Sequence, residues 1–339
     1  MQEGLADLFP LILAGTLAAL ALGPMLTRGA VRLGLVDVPG SAPHKRHSAV
    51  TPLAGGSVLA AAVGLTYVAL RPRTDLLVQG ILVGGLAMLA WGMLDDRFNL
   101  RPRVKILGQI AAALIALAFG IQVRITQQLW IDLALTLLWM VGLINAFNFV
   151  DSMDGLALGL ASIALAFFVL ATLDAGQPAL ASLAAASLGG TLGLYFYNAT
   201  PARLFLGDSG AQLLGFTLAA IGIAYVPAGA GLPQGVSWFT PILVLGVPIF
   251  DATLVVVSRL RSRRPVYQAR SDHTYHRLVA LGMQPSRSVL AMQLASILLG
   301  LAAFIALGLS VLWANLLFGL VAVGGLLTIA ALERAPLEP

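Results

Sequence analysis

The sequence contains no cysteine, which excludes a disulfide framework, a thiolate metal site and cysteine nucleophilic catalysis. Charge is nearly as scarce. Only 10% of the 339 residues are Asp, Glu, Lys or Arg, whereas ordinary globular chains carry roughly 25%. In their place stand 59% hydrophobic residues and 36 glycines, giving a mean hydropathy of +0.91. Such a chain lacks the polar surface to clothe a water-facing exterior, so lipid must be its main solvent.

Crossing about 30 Å of hydrocarbon takes about twenty apolar residues per helix. Runs of that kind fall at 5–26, 52–70, 76–94, 104–120, 130–150, 156–173, 179–197, 211–226, 238–257, 289–309 and 311–332. The expected fold is therefore an all-α integral membrane protein of about eleven transmembrane helices, one polytopic domain over residues 1–339, with no domain boundary visible. The first run is too long, and its Asp7-bearing start too acidic, for a cleaved signal peptide; it is expected to be a retained helix. Several runs are rich in Gly and Ala, which lets helices approach closely in lipid.

Lys and Arg are distributed unevenly between alternate loops. Loops 27–51, 95–105, 151–155, 198–210 and 258–288, with the tail after 332, hold seventeen of the 20. Positively charged loops stay in the cytoplasm, so these face inward and the N-terminus lies outside. Most of the aspartates and all four histidines lie in the same loops or at the helix ends beside them. A chain so sparing of charge that gathers its acids on one side has the makings of a cleft open to the cytoplasm, with loops at about 27–51, 95–105, 145–155, 198–210 and 258–288 around it.

Five segments can carry chemistry. Asp95 and Asp96 end the third run and are followed by Arg97, Arg101, Arg103 and Lys105. Adjacent carboxylates repel unless a cation shares them, and their oxygens suit Mg²⁺; a solvated helix cap balanced by the bases is the plainer reading. Asn145, Asn148, Asp151 and Asp154 recur at every third position in an apolar context. On a helix three successive members share a face, offering oxygens to a metal and hydrogen bonds to a sugar or base, or else forming a polar seam between helices. In Phe205-Leu-Gly-Asp208-Ser-Gly210 an Asp stands between glycines just before a helix expected from about Ala211. That is a place for phosphate and its metal, or an ordinary capped turn. The first loop carries His44-Lys45-Arg46-His47 before Pro52-Leu-Ala-Gly55-Gly56, a basic knot for a pyrophosphate or lipid phosphate, or a topology signal alone. The last large loop reads Arg270-Ser-Asp272-His273-Thr-Tyr-His276-Arg277. Its two imidazoles at i, i+3 suit phosphate or metal, or else are exposed loop residues.

Together and in this order, these segments resemble the polyprenyl-phosphate N-acetylhexosamine-1-phosphate transferases, from about Asp37 to Leu278. Asp95-Asp96 with Lys105 and Gln109 resembles that family's Asp-Asp motif, and 145–155 and 205–210 its Asn-x-x-Asn-x-x-Asp-x-x-Asp-Gly and Phe-Leu-Gly-Asp-Ser-Gly blocks. The resemblance implies a helical membrane bundle, often dimeric, with a cytoplasmic catalytic cleft. It implies catalytic roles for Asp95, Asp96, Asp208, His273 and His276, and Mg²⁺, or Mn²⁺, on Asp208 and Asp96. It also implies substrate contacts from Lys45, His47, Lys105, Asn145, Asn148, Asp151, Asp154, Phe205 and Arg270. The peptidoglycan branch, which transfers phospho-MurNAc-pentapeptide, has three consecutive histidines in the last loop, and this chain does not. The N-acetylglucosamine branch has Asp-His-x-His-His, from which Tyr275 departs. The expected reaction is UDP-N-acetylglucosamine plus undecaprenyl phosphate giving the lipid-pyrophosphate-linked sugar and UMP, the first membrane step of a cell-envelope polysaccharide pathway. The expected setting is a bacterial inner membrane, with no nucleic-acid partner. A cation-coupled transporter is the rival from another class, and it would place its acids near the bilayer midplane on interrupted helices.

Overall fold

The computed structural model describes residues 4–40, 49–70, 74–126, 128–227, 238–266 and 272–335. The chain is an all-α membrane protein. Its elements are α1 (Leu5–Arg32), β1 (Val36–Asp37), β2 (Thr51–Pro52), α2 (Gly55–Leu70), α3 (Leu76–Phe98), α4 (Pro102–Ala118), α5 (Leu129–Val150), α6 (Leu156–Asp174), α7 (Pro178–Asn198) and α8 (Gly207–Ala224). There follow α9 (Thr240–Val244), α10 (Gly246–Arg261), α11 (Thr274–Ala280), α12 (Pro285–Leu307) and α13 (Val311–Leu332). Among the described residues, seven helices (α1, α3, α5, α6, α7, α12 and α13) are long and apolar enough to cross a membrane.

Each apolar run of the sequence contains a helix, but two boundaries differ for physical reasons. The run at 238–257 is broken at Leu245 into α9 and α10. Pro248 has no N–H to give the carbonyl of Val244, and its ring crowds that carbonyl, so α9 ends there. Helix α8 begins at Gly207 rather than near Ala211. Its first free N–H groups are met by a carboxylate from another helix, which no local pattern reveals.

Helices α6, α7 and α8 form the centre of the bundle, with most of their residues buried. Helix α1 lies along α7, α3 and α5 along α8, and α2 against α1, α7 and α8. In lipid no hydrophobic effect drives these faces together, so approach distance decides the packing. At the α1–α7 crossing a Cβ on Gly189 would sit 2.2 Å from the carbonyl oxygen of Ile12. The nearby Thr16 hydroxyl donates to the Gly189 carbonyl at 3.2 Å. At 1.5 Å per residue, the 28 residues of α1 extend about 42 Å, more than the thickness of the hydrocarbon and enough to reach through the headgroup regions.

The small β1–β2 ribbon pairs Val36 with Pro52 and Asp37 with Thr51. It then bridges Leu53 to Phe205. This ties the first loop to the segment that enters α8.

The α1–α7 crossing gives a direct test. Gly189→Val should sharply reduce the yield of monodisperse protein in detergent, whereas Gly64→Val, which has no atom within 4 Å of its added Cβ, should not. Equal yields on size-exclusion chromatography would refute close helix approach as the organising contact.

Candidate active site

Helices α3, α5 and α8 bring their acidic ends to one end of the bundle. Asp95 and Asp96 lie in the last turn of α3, Asp151 caps the C-terminus of α5, and Asp208 lies in the first turn of α8. Adjacent helical residues point about 100° apart, and the pair on α3 divides accordingly. Asp95 is buried, forms a 2.7 Å ion pair with Lys105 and accepts the Leu100 N–H at 3.0 Å. Gln212 donates to its other oxygen at 3.3 Å. Asp96 instead accepts the main-chain N–H groups of Asp208 at 2.7 Å and Ser209 at 3.1 Å. It is the cap of α8, supplied from α3.

That cap requires unusual closeness. Gly207 takes φ +73°, and a Cβ there would lie 2.9 Å from an Asp96 oxygen. A Cβ on Gly92, one turn before Asp96, would lie 2.4 Å from the Ser209 Cα. Gly55 and Gly56 press on Leu206 and Ser209 from the other side, and their N–H groups donate to the carbonyls of Phe205 and Leu206. Phe205 thus enters the site through its main chain. The Gly-Gly that opens α2 grips the start of α8.

Asp208 is left with its carboxylate directed at the site. Lys105 donates to one oxygen at 3.2 Å, and the Asn148 amide donates to the other. Its side chain keeps 27% exposure and that of Lys105 25%, so both remain reachable. Asn145 pairs its amide with that of Gln109, donating at 2.7 Å. The every-third-residue series therefore shares a helix only as far as Asn148. Asp151 is the cap, and Asp154 lies beyond it, accepting the Ala202 N–H at 2.9 Å. Burial, and then the charges of Asp208, Asp96 and Asp154, push the Asp151 carboxyl well above its ordinary range. Crowded carboxylates with Lys105 among them suit an added cation.

The residues present fit a divalent cation of the hard, oxygen-seeking kind. Among the described residues no three His, Asp or Glu side chains form a closed cage. Mg²⁺ is held in this open manner, by one or two carboxylates, waters and substrate phosphates.

The last loop forms a separate buried cluster. Arg259 of α10 grips Asp272 with two bonds, at 3.0 and 2.8 Å. Arg277 is almost wholly buried. It donates to the Asp272 and Leu332 carbonyls and the Ser258 hydroxyl, and pairs with Glu333 at 2.9 Å. His273 faces Asp251, and its ring lies T-shaped to Phe149 at 5.7 Å, beside Asn148 in sequence. His276 packs against His273 and Tyr275. Tyr275 is itself buried, so the residue that departs from the branch pattern is a packing residue. Lys45, His47 and Arg270 lie outside the described residues.

An apolar cavity of about 1540 Å³ runs from this end of the bundle along α4, α5, α9 and α10. Lys105, Asn145, Asn148 and Phe149 stand at its polar end, and Leu135, Trp139 and Ile249 are among the residues along its wall.

The family model for glycosyl transferase family 4 matches residues 78–226, which hold every carboxylate of the α3–α5–α8 site. A relative from Bacillus subtilis (strain 168), named as a probable undecaprenyl-phosphate N-acetylglucosaminyl 1-phosphate transferase, is 30% identical, covering 93% of this chain and 89% of its own length. The chain belongs to glycosyl transferase family 4. Its similarity extends to the decaprenyl-phosphate N-acetylglucosaminephosphotransferase of Mycobacterium tuberculosis (strain H37Rv), 32% identical over 84% of this chain and 79% of that one. The undecaprenyl-phosphate alpha-N-acetylglucosaminyl 1-phosphate transferase of Escherichia coli (strain K12) is 27% identical over 80% and 76%. Family membership bears out the resemblance read from the motifs and sets the transporter reading aside.

For this family 4 chain the sequence motifs missed Gln212, Asn198 and Glu333. Gln212 had a usable signal, since it follows Asp208 by one helical turn. Asn198 accepts the Gly155 N–H at 3.0 Å and donates to the Leu204 carbonyl six residues on; its bond to Gly155 and the pairing of Glu333 with Arg277 join segments far apart in sequence and had no signal.

The two aspartates at α8 should separate experimentally. Asp208→Asn should lower turnover at least about 100-fold with thermal stability unchanged, because it alters a site-facing charge. Asp96→Asn should lower stability as well, by about 1 kcal/mol, as expected for a weakened helix cap. Thermal unfolding in detergent beside a turnover assay checks both, and matching profiles for the two variants would contradict the division of roles.

Proposed function

We propose that this protein transfers N-acetylglucosamine-1-phosphate from the UDP-sugar to a polyprenyl phosphate, most simply undecaprenyl phosphate, and releases UMP. The carrying observation is the placement of Asp208, held between Lys105 and Asn148 at the polar end of a long apolar cavity. Polar groups suited to a pyrophosphate adjoin a channel suited to an isoprenoid chain. The names of the relatives point to the same pair of substrates, and to the N-acetylglucosamine branch rather than that of phospho-MurNAc-pentapeptide.

In this reading the acceptor lies with its chain in the cavity and its phosphate at Lys105. A phosphate oxygen of the lipid attacks the β-phosphorus of the donor. The bond from that phosphorus to the bridging oxygen breaks, and UMP leaves with the electron pair. A lipid phosphate is largely ionised near neutral pH, so little base catalysis is required of the protein. Charge accumulates on the departing UMP, and fixed cations aimed at it supply most of the rate. Mg²⁺ or Mn²⁺, when bound, would neutralise that charge. Asp208 is the primary ligand in this assignment. Asp96 keeps a lone pair on each oxygen beyond its two capping bonds and stands beside it as the second. Lys105 bridges Asp95 and Asp208, offsetting their repulsion, and offers its ammonium to the lipid phosphate. Asn145, Asn148, Asp151 and Asp154 line the donor side, with His273 and His276 as phosphate donors and Lys45, His47 and Arg270 as further cations.

The helix ends that flank the Lys- and Arg-rich stretches of the sequence are the ends that carry these groups, and the positive-inside rule supports a site open to the cytoplasm. Counting α2, α4 and α8, and α9 with α10 as one broken span, beside the seven longer helices would make eleven crossings, in the inner membrane of a bacterium. A homodimer fits the family pattern.

Purified protein given UDP-N-acetylglucosamine, Mg²⁺ and undecaprenyl phosphate should release UMP in equal amount with lipid product. Chelation should stop release, and Mg²⁺ should restore it. Failure with this donor but turnover with another UDP-sugar would overturn the sugar assignment. Gly142, on the cavity wall with no atom within 4 Å of a built Cβ, supplies the second test. Gly142→Leu should raise KM for the long-chain acceptor about tenfold and leave donor KM unchanged; an unchanged acceptor KM would remove the cavity from the reading.

A further inference from the structure

Asp251 has no part in the chemistry described above, and it lies beyond the 78–226 segment that the family model matches. It is completely buried on α10, three residues past Pro248. Its two oxygens serve adjacent residues of the last loop. Oδ2 stands 2.9 Å from Nδ1 of His273, and Oδ1 accepts the Thr274 N–H at 2.7 Å.

A carboxylate at full burial is costly, and a well-packed apolar pair commonly does as well for stability. Docking of the loop does not require one here. Arg259 already grips Asp272, and Arg277 already ties the following turn to α10 and α13. What Asp251 adds is control of a single ring. A carboxylate at Nδ1 places the proton there and leaves Nε2 as the working nitrogen. The bond to the Thr274 N–H prevents the carboxylate from turning away, so the imidazole is fixed in rotation as well as in tautomer. Phe149 closes one side of that ring at 5.7 Å, and its neighbour Asn148 holds Asp208. Phe149 also lines the cavity together with Lys105 and Asn148, so the ring that Asp251 orients lies one side chain from the polar groups of the site.

We propose that Asp251 is a positioning residue that acts through His273, holding its imidazole with Nδ1 protonated and Nε2 presented to the phosphates of the nucleotide-sugar donor. The proposal rests on the reading of this loop as part of the donor site.

A double-mutant cycle on the full-length protein tests it, with kcat and the two KM values measured for Asp251→Asn, His273→Asn and the pair. His273→Asn should lower kcat/KM for the donor about 100-fold, the lower range for loss of a positioned proton donor, with acceptor KM unchanged. Asp251→Asn should lower the same parameter about 10- to 100-fold, the range seen when the carboxylate that orients a metal-bound histidine is lost. The double variant should be no worse than His273→Asn within about threefold, since a residue that acts through another adds nothing once the other is gone. If the losses multiply, or if Asp251→Asn changes only thermal stability, Asp251 is structural and the proposal is wrong. If His273→Asn leaves donor kinetics intact, the donor-site reading of the loop fails instead. Should Asp251→Asn not fold, the same cycle with Asp251→Ser, which removes the carboxylate and keeps a small polar side chain, gives the same comparison.

Discussion

The site depends on a helix terminus capped from outside its own chain segment. The first N–H groups of α8 have no partner within the helix, and the carboxylate of Asp96 on α3 takes two of them. That single contact starts α8 at Gly207 and places Asp208 inside the first turn. It also fixes which way the Asp208 side chain leaves the backbone. For a carboxylate from α3 to reach that terminus, the two helices must nearly touch. The glycines at 92, 207, 55 and 56 are what the cap demands of the sequence around it.

A second constraint is electrical. Asp95, Asp96, Asp151, Asp154 and Asp208 gather at one end of the bundle, and among the described residues Lys105 alone contacts two of them by ion pair. In water this would be an unremarkable acidic patch. Close to hydrocarbon such crowding is tolerated where backbone N–H groups, amides and a shared cation absorb it. Asp95 is satisfied on all sides and serves as the anchor of Lys105. Asp208 is satisfied only in part, and a carboxylate with remaining capacity beside a lysine is a natural seat for metal and phosphate.

How far the sequence discloses this arrangement depends on the range of each interaction. The apolar runs mark the helices well because lipid imposes the same length requirement on each. The broken ninth run could have been read from Pro248, whose effect four residues upstream is local chemistry. The early start of α8 could not, because the deciding oxygen belongs to residue 96. Asn145 and Asn148 were legible as helical neighbours, whereas Asp154 leaves the helix that the every-third spacing suggested, since α5 ends at Val150. The burial of Tyr275, the pairing of Asp251 with His273 and the role of Glu333 all arise between segments far apart along the chain.

The Arg277 clamp bears on the order in which the protein is made. Helix α13 buries only Ala314, Ile329 and Leu332 and looks peripheral by packing. Yet its last carbonyl and the following glutamate hold a guanidinium that is almost wholly enclosed, and a charge left without such partners costs about 3–5 kcal/mol. The histidine loop is synthesised before α13, so of the partners described above Arg277 has the Asp272 carbonyl and the Ser258 hydroxyl alone until α13 has left the ribosome and entered the bilayer. Assembly of the histidine loop is thereby tied to insertion of α13, and a chain without that helix carries the loop's residues without two of the contacts that hold them in place.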